Sequence, residues 1–186
     1  MNRVELSDIH GVVQHSGKAS NDLRGTFTKY FDRKTLQSQG FDPSIDSLSV
    51  ATNINAGTIR GLHFQTPPFE EEKVIICLQG KIFDVIVDLR RNSPTLGKWA
   101  AIEMDGEIPT SLCLPMGIAH GYQTLTPHVN VFYGLSSQFN QEHTCSLNYA
   151  DADLEIAWPM PVAQISARDS AGISLHDAMA LLPGKP

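Results

Sequence analysis

The sequence predicts a mainly β protein, a sandwich or barrel with short helices at its margins. Three observations lead there. Gly and Pro, 14 and 11 of them, punctuate the whole chain. The apolar runs between them are short and rich in β-branched residues. Helical pattern is confined to two brief segments, and many short strands with frequent turns are the signature of sandwiches and barrels.

The elements can be justified in order. Asp32–Gln39 reads as a short helix near the start. Thr58–Phe64 reads as a strand, and strict alternation within it sets Arg60 and Leu62 on one face and Gly61 and His63 on the other, unless a bulge intervenes. Lys73–Gly80 and Lys81–Leu89 are two β-branched runs joined at Gln79-Gly80, which reads as a hairpin. In the second run Asp84, Ile86 and Asp88 alternate with Val85 and Val87, so one of its faces is only partly apolar. Trp99–Met104, Ser111–Leu114, Gln123–Leu125 and Val129–Leu135 are further strands. Ser174–Leu182 reads as a closing helix with Ser174 as its cap.

Length and charge bound the function. A chain of 186 residues is expected to form one domain, spanning 1–186, with a core large enough to need no staples. It carries 14 basic and 20 acidic residues, a net charge of -6 without any Lys/Arg run. That excludes a nucleic-acid polymer as main ligand, yet still permits a nucleotide, whose diphosphate needs only a local basic pocket. No apolar stretch is long enough to span a membrane, and the N-terminus lacks the apolar segment of a signal peptide. Cys77, Cys113 and Cys145 are odd in number and widely spaced. They read as reduced, mostly buried thiols of a cytoplasmic protein, and fit neither a disulfide framework nor a zinc cluster.

The polar residues concentrate in two places. The first is Arg60-Gly-Leu-His63-Phe-Gln65, followed by Lys73. The second is Pro115-Met-Gly117-Ile-Ala-His120-Gly121. The pattern Pro-x-Gly-x-x-His resembles the second signature of the cupin barrels, in which Pro and Gly turn the chain into a strand that points the His inward. Gly57, His63 and Gly80 fit the first cupin signature, but Gln65 stands where its second His belongs. A catalytic zinc or iron site wants three good ligands, and an amide is a poor substitute for imidazole. The reading is therefore a cupin jelly-roll β-barrel with short peripheral helices, with no metal, and with histidines left for acid–base work.

A longer ordered set follows: Asp22-x-Arg24-Gly25, Arg60-Gly-Leu-His63, Lys73, Asp84-Val-Ile-Val-Asp-Leu-Arg90, Ser93-Pro-Thr-x-Gly-x-Trp99, Pro115-x-Gly-x-Ala-His120-Gly, Tyr133, Trp158-Pro and Ser166-Ala-Arg-Asp169. Together these residues closely resemble the dTDP-4-dehydrorhamnose 3,5-epimerase family of cupins. The resemblance implies a cytoplasmic homodimer acting on a nucleotide-linked 4-keto-6-deoxyhexose, without metal, nicotinamide or other cofactor. It implies His63 as the base and Asp169 as the carboxylate that orients it. It implies Lys73 as the cation beside an enolate oxygen and Tyr133 as the proton donor. Arg24, Arg60 and His120 match substrate contacts.

Several ligand positions depart from the family pattern. Lys29 stands for a Glu. Leu48-Ser-Val50 falls on a Gln-x-Asn pair in gapless register, with Asn53 and Asn55 displaced from it. Phe139 replaces a base-stacking Tyr, Thr144 falls on a Glu, and Arg168 replaces a Lys. Lys29, Phe139 and Arg168 remain substrate-binding candidates, and the barrel interior is expected to be positive. The reaction centre is thus kept while the nucleotide contacts are rewritten. Competing readings are a CDP- or GDP-sugar epimerase, a nucleotide-sugar 3,4-ketoisomerase, a non-catalytic cupin that binds sugar nucleotides, and a metal-dependent cupin. A strand at Val12–Val13 is expected to join a partner's sheet.

Overall fold

A computed structural model describes residues 2–182. Its strands are β1 (Val13–Ser16), β2 (Lys18–Asp22), β3 (Gly25–Lys29), β4 (Ser47–Asn53), β5 (Ile59–Gln65), β6 (Lys73–Gln79), β7 (Lys81–Asp88), β8 (Trp99–Asp105), β9 (Thr110–Leu114), β10 (Ile118–Thr124), β11 (Val129–Leu135) and β12 (Thr144–Ser146). The helices are α1 (Arg33–Ser38), α2 (Ala167–Ser170) and α3 (Leu175–Leu181). Two five-stranded sheets, in the orders β1-β9-β6-β11-β4 and β12-β5-β10-β7-β8, face each other as a jelly roll. None of the helices described is long and apolar enough to cross a membrane.

The alternation of each strand explains the layering. Ile75 and Cys77 of β6, Leu112 and Leu114 of β9, and Val129 and Val131 of β11 point inward from one sheet. Ile82 and Ile86 of β7, Ala100 and Met104 of β8, and Ile118 and Tyr122 of β10 meet them from the other. The intervening residues pack outward. Val85, Val87, Leu62 and Phe64 lie under α3 and its flanking loops, with Leu175 and Ala178. Val74, Ile76 and Cys113 lie under α1, with Leu36 and Phe41. The central strands β6 and β7 are therefore covered on both faces, which is why they read as continuous apolar runs.

Most expected elements are present. Ser174 caps α3 as expected, accepting from Asp177 N at 3.1 Å, and Asp32 caps α1, accepting from Thr35 N at 3.1 Å. Cys77 and Cys113 are buried, Cys145 is half-buried, and all three are free. Burial pushes the Cys77 and Cys113 thiols up to about 11 and about 12.

One expectation is corrected. The runs joined at Gln79-Gly80 are not a hairpin: β6 lies between β9 and β11 while β7 lies between β10 and β8, in the opposite sheet. Each run has both edges filled and both faces buried, so each is a central strand, and Gly80, at φ +74°, turns the chain from one sheet to the other. The N-terminal strand pairs within its own chain, Val13 opposite Cys113. The hairpin β2–β3, with Leu23 and Phe27 exposed, stands apart as a two-stranded sheet.

Candidate active site

The site is built on β5, whose register is irregular. His63 pairs with His120, but Arg60 pairs with Tyr122, so β5 holds one residue more than β10 across this stretch. That bulge rotates the alternation. Arg60 and His63 both line a cavity of about 730 Å³, together with Ser166, Arg168 and Asp169. Leu62 is left for the outer core. Gly61 is required at the bulge: its φ is +115°, and an added Cβ would lie 2.5 Å from Gly121 Cα.

His63 Nε2 lies 2.7 Å from Asp169 Oδ1. Asp169 is buried on the four-residue α2, where Ser166 Oγ caps its backbone N–H at 3.0 Å. Its carboxylate also accepts from Ser146 Oγ at 3.0 Å and from Gly61 N at 3.3 Å. Burial by itself would raise this carboxyl. The hydrogen bond with His63, the His63 charge and the two further donors outweigh it and bring the pKa down to about 2. With Asp169 accepting from Nε2–H, the neutral ring keeps its lone pair on Nδ1, available as a base.

Beside it, His120 Nε2 lies 2.8 Å from Asp84 Oδ2, and both residues are buried. Asp84 Oδ1 is also buried and has no hydrogen-bond partner among the described residues. Burial raises the Asp84 carboxyl, against the pull of His120 and Lys73. The Tyr133 ring stands edge-on to His120, with centroids 6.0 Å apart. Burial, then Tyr122 and Asp84, hold the Tyr133 phenol well above its usual range, so it stays protonated and able to donate. The Lys73 ammonium is buried, donates to His63 O at 2.9 Å and lies 3.3 Å from Glu71 Oε1. Arg60 Nε donates to Asn53 Oδ1 at 2.8 Å, and Asn53 Nδ2 donates to the Tyr122 hydroxyl at 3.0 Å.

His63, Lys73, His120, Tyr133, Asp169 and Arg60 are therefore brought together. Arg168 lines the same cavity and donates to Thr144 O at 3.0 Å. Arg24 and Lys29 are not brought in. Arg24 sits at the exposed turn of β2–β3, 2.6 Å from Asp22, and Lys29 pairs with Asp32 at 3.2 Å. Phe139 is exposed on the loop between β11 and β12. His63, His120 and Lys73 each face a carboxylate, whereas Arg60 and Arg168 are held by the Asn53 amide and by Thr144 O. Asn53 was missed as a site residue because gapless register points to Leu48 and Val50, which face outward and are exposed. The available signal was a polar residue in inward phase with Ala51 at the end of β4. Among the described residues no three His, Cys, Asp or Glu side chains cluster as metal ligands would.

The family model for dTDP-4-dehydrorhamnose 3,5-epimerase matches residues 6–177. A dTDP-4-dehydrorhamnose 3,5-epimerase of Sinorhizobium fredii is 36% identical over 155 residues, covering 83% of this chain and 80% of its own. Among solved structures, the Bacillus anthracis enzyme described with TDP and PPi bound superposes with a TM-score of 0.85 at 35% identity, covering 88% of this chain and 94% of its own. A 3'-monoepimerase of Streptomyces bikiniensis in complex with dTDP-quinovose superposes with a TM-score of 0.86 at 30% identity, covering 97% and 93%. A family match across nearly the whole length, on a barrel with this constellation at its centre, means that the chain belongs to the dTDP-4-dehydrorhamnose 3,5-epimerase family.

Proposed function

We propose that this chain, as one barrel domain, epimerises a dTDP-linked 4-keto-6-deoxyhexose through an enolate. The observation that carries the reading is a base, a cation and a phenol gathered on neighbouring strands: His63 with Asp169 at the cavity, Lys73 donating to His63 O, and Tyr133 edge-on to His120, which stands opposite His63. His63 Nδ1 takes the proton α to the ketone. The C–H electron pair moves into the C–C bond and the carbonyl π pair onto oxygen. The negative oxygen is met by the Lys73 ammonium, with His120 beside it. Asp169 stabilises the imidazolium as it forms. Tyr133 returns a proton to the opposite face, which inverts the carbon. Its phenolate and the His63 cation then reset by proton exchange with solvent.

Arg60, held by Asn53, is suited to contact the sugar nucleotide, and Arg168 and Phe139 to contact the nucleotide end. The TDP and dTDP-sugar bound to the relatives above support dTDP as the nucleotide. The homodimer belongs to this reading. It is supported by exposed Leu23 and Phe27 on the hairpin and by exposed Leu48 and Val50 on edge strand β4. A second copy would cover these residues and give Arg24 and Lys29 a cavity to serve.

The test is incubation in D2O with dTDP-, CDP- and GDP-linked 4-keto-6-deoxyhexoses, following the C3 and C5 proton signals. The expected result is loss of both signals with the dTDP sugar. No exchange with any substrate overturns the reading, and a keto group moved to C3 replaces it with ketoisomerisation.

A further inference from the structure

Gln65 occupies the position where a metal-binding cupin carries its second histidine, and here its side-chain amide is fully engaged. It is buried, and its Oε1 accepts from Asn140 N at 2.9 Å and from Thr144 Oγ1 at 3.1 Å. The single Thr144 proton is shared with Asn140 O at 2.6 Å, so Asn140 N is the oxygen's dedicated donor. The two Gln65 Nε2 hydrogens are shared among Phe69 O at 2.9 Å, Glu71 Oε2 at 3.1 Å and Gln138 O at 3.3 Å. Two of these groups, Gln138 O and Asn140 N, flank Phe139 on either side. A third, Glu71, puts its other oxygen 3.3 Å from the Lys73 ammonium, which in turn donates to the carbonyl of His63.

We propose that Gln65 is a positioning residue that ties the Phe139 loop to Lys73 through Glu71. The loop carrying the exposed aromatic and the buried ammonium then share one anchor, and a shift of either is felt by the other. A buried amide engaged at both ends is well suited to this, because removing it takes a partner from the loop and from Glu71 at once. The proposal rests on the reading of Lys73 as the cation at the enolate oxygen, and it deepens that reading by naming what holds Lys73 in place.

The experiment is a double-mutant cycle read by solvent-deuterium exchange into a dTDP-4-keto-6-deoxyhexose, a readout that follows slow turnover. Gln65→Ala in the parent enzyme is expected to slow exchange roughly tenfold or more. In a Lys73→Ala background the same substitution is expected to change the residual rate by less than about twofold, because the group it positions is gone. A merely structural role would lower the rate by the same factor in both backgrounds, and that result overturns the proposal. Glu71→Gln keeps the shape of the link and serves the same cycle if Gln65→Ala does not fold. A Lys73→Ala enzyme exchanging at the parent rate overturns the catalytic reading of Lys73 together with this one. Equal factors beside a crippled Lys73→Ala enzyme overturn only the Gln65 link.

Discussion

His63 and His120 sit directly opposite each other on neighbouring strands, yet each ring is turned to a different carboxylate, Asp169 and Asp84. Two adjacent imidazoles are thereby kept from sharing one proton or one ligand. Each has its Nε2 committed, and each has Nδ1 left over for other chemistry.

The first consequence is a pH dependence of stability. The Asp169 carboxyl has a pKa of about 2 in the fold against 3.8 for the free side chain. The unfolded chain thus holds this proton more tightly than the folded one. The stabilisation is complete above about pH 4 and is lost as pH falls through 2. It amounts to about 2 kcal/mol. Urea unfolding from pH 6 down to 2 should show Asp169→Asn with a shallower acid loss than the parent, and His63→Ala should abolish deuterium exchange while remaining folded. Identical acid profiles for parent and Asp169→Asn would remove the argument.

Tyr133→Phe separates the two proton transfers. The ring and its packing against His120 survive, and only the hydroxyl goes. His63 can still remove and return a proton on its own face. Deuterium should continue to enter, while inversion falls by roughly 10²-fold or more, the usual worth of a general acid. Polarimetry or proton couplings of the product, set beside the exchange rate, check this. Inversion at the parent rate would show that another group donates.

Gly61→Ala is expected to cost about 3 kcal/mol. The new Cβ would meet Gly121 Cα at 2.5 Å and His120 O at 2.7 Å, on a backbone with φ +115°. Relief requires β5 and β10 to part at the point where His63 faces His120. Thermal unfolding and exchange rate should therefore both fall. An alanine variant with parent stability would mean that the bulge relaxes without loss.

The hairpin offers a test of assembly. Leu23 and Phe27 are strongly exposed on a two-stranded sheet, an arrangement with little reason to persist in water unless covered. Changing both to Asp should convert a dimer to a monomer in sedimentation. Exchange should drop as well if Arg24 serves the partner's cavity as proposed. A parent that already sediments as a monomer would contradict this.

The sequence made much of this legible, and the gaps have physical reasons. Val129–Leu135 could be placed because strand period is a local property, whereas His63, His120, Tyr133 and Asp169 are legible through their resemblance to an ordered family pattern. The partnership of Lys81–Leu89 could not: a glycine between two apolar runs looks the same whether the chain doubles back in one sheet or crosses to another. The shared face of Arg60 and His63 depended on a bulge that only the register with β10 defines. Asn53 was hidden by a shift in register before Arg60. The helix bearing Asp169 spans four residues and leaves no periodicity to detect.

The sheet order also governs the order in which the enzyme can come into being. Strands β4 and β5 pair only with β11, β10 and β12, all made later. At ordinary elongation rates β5 leaves the ribosome roughly 3–12 s before β10 follows it. During that interval the segment carrying His63 has no strand to lie against, a pattern of late, non-local pairing that folds slowly and tempts intermolecular contacts. Asp169 comes later still, after β12. A nascent or prematurely ended chain can own the histidine without its carboxylate, so turnover by this protein reports that synthesis has passed Asp169.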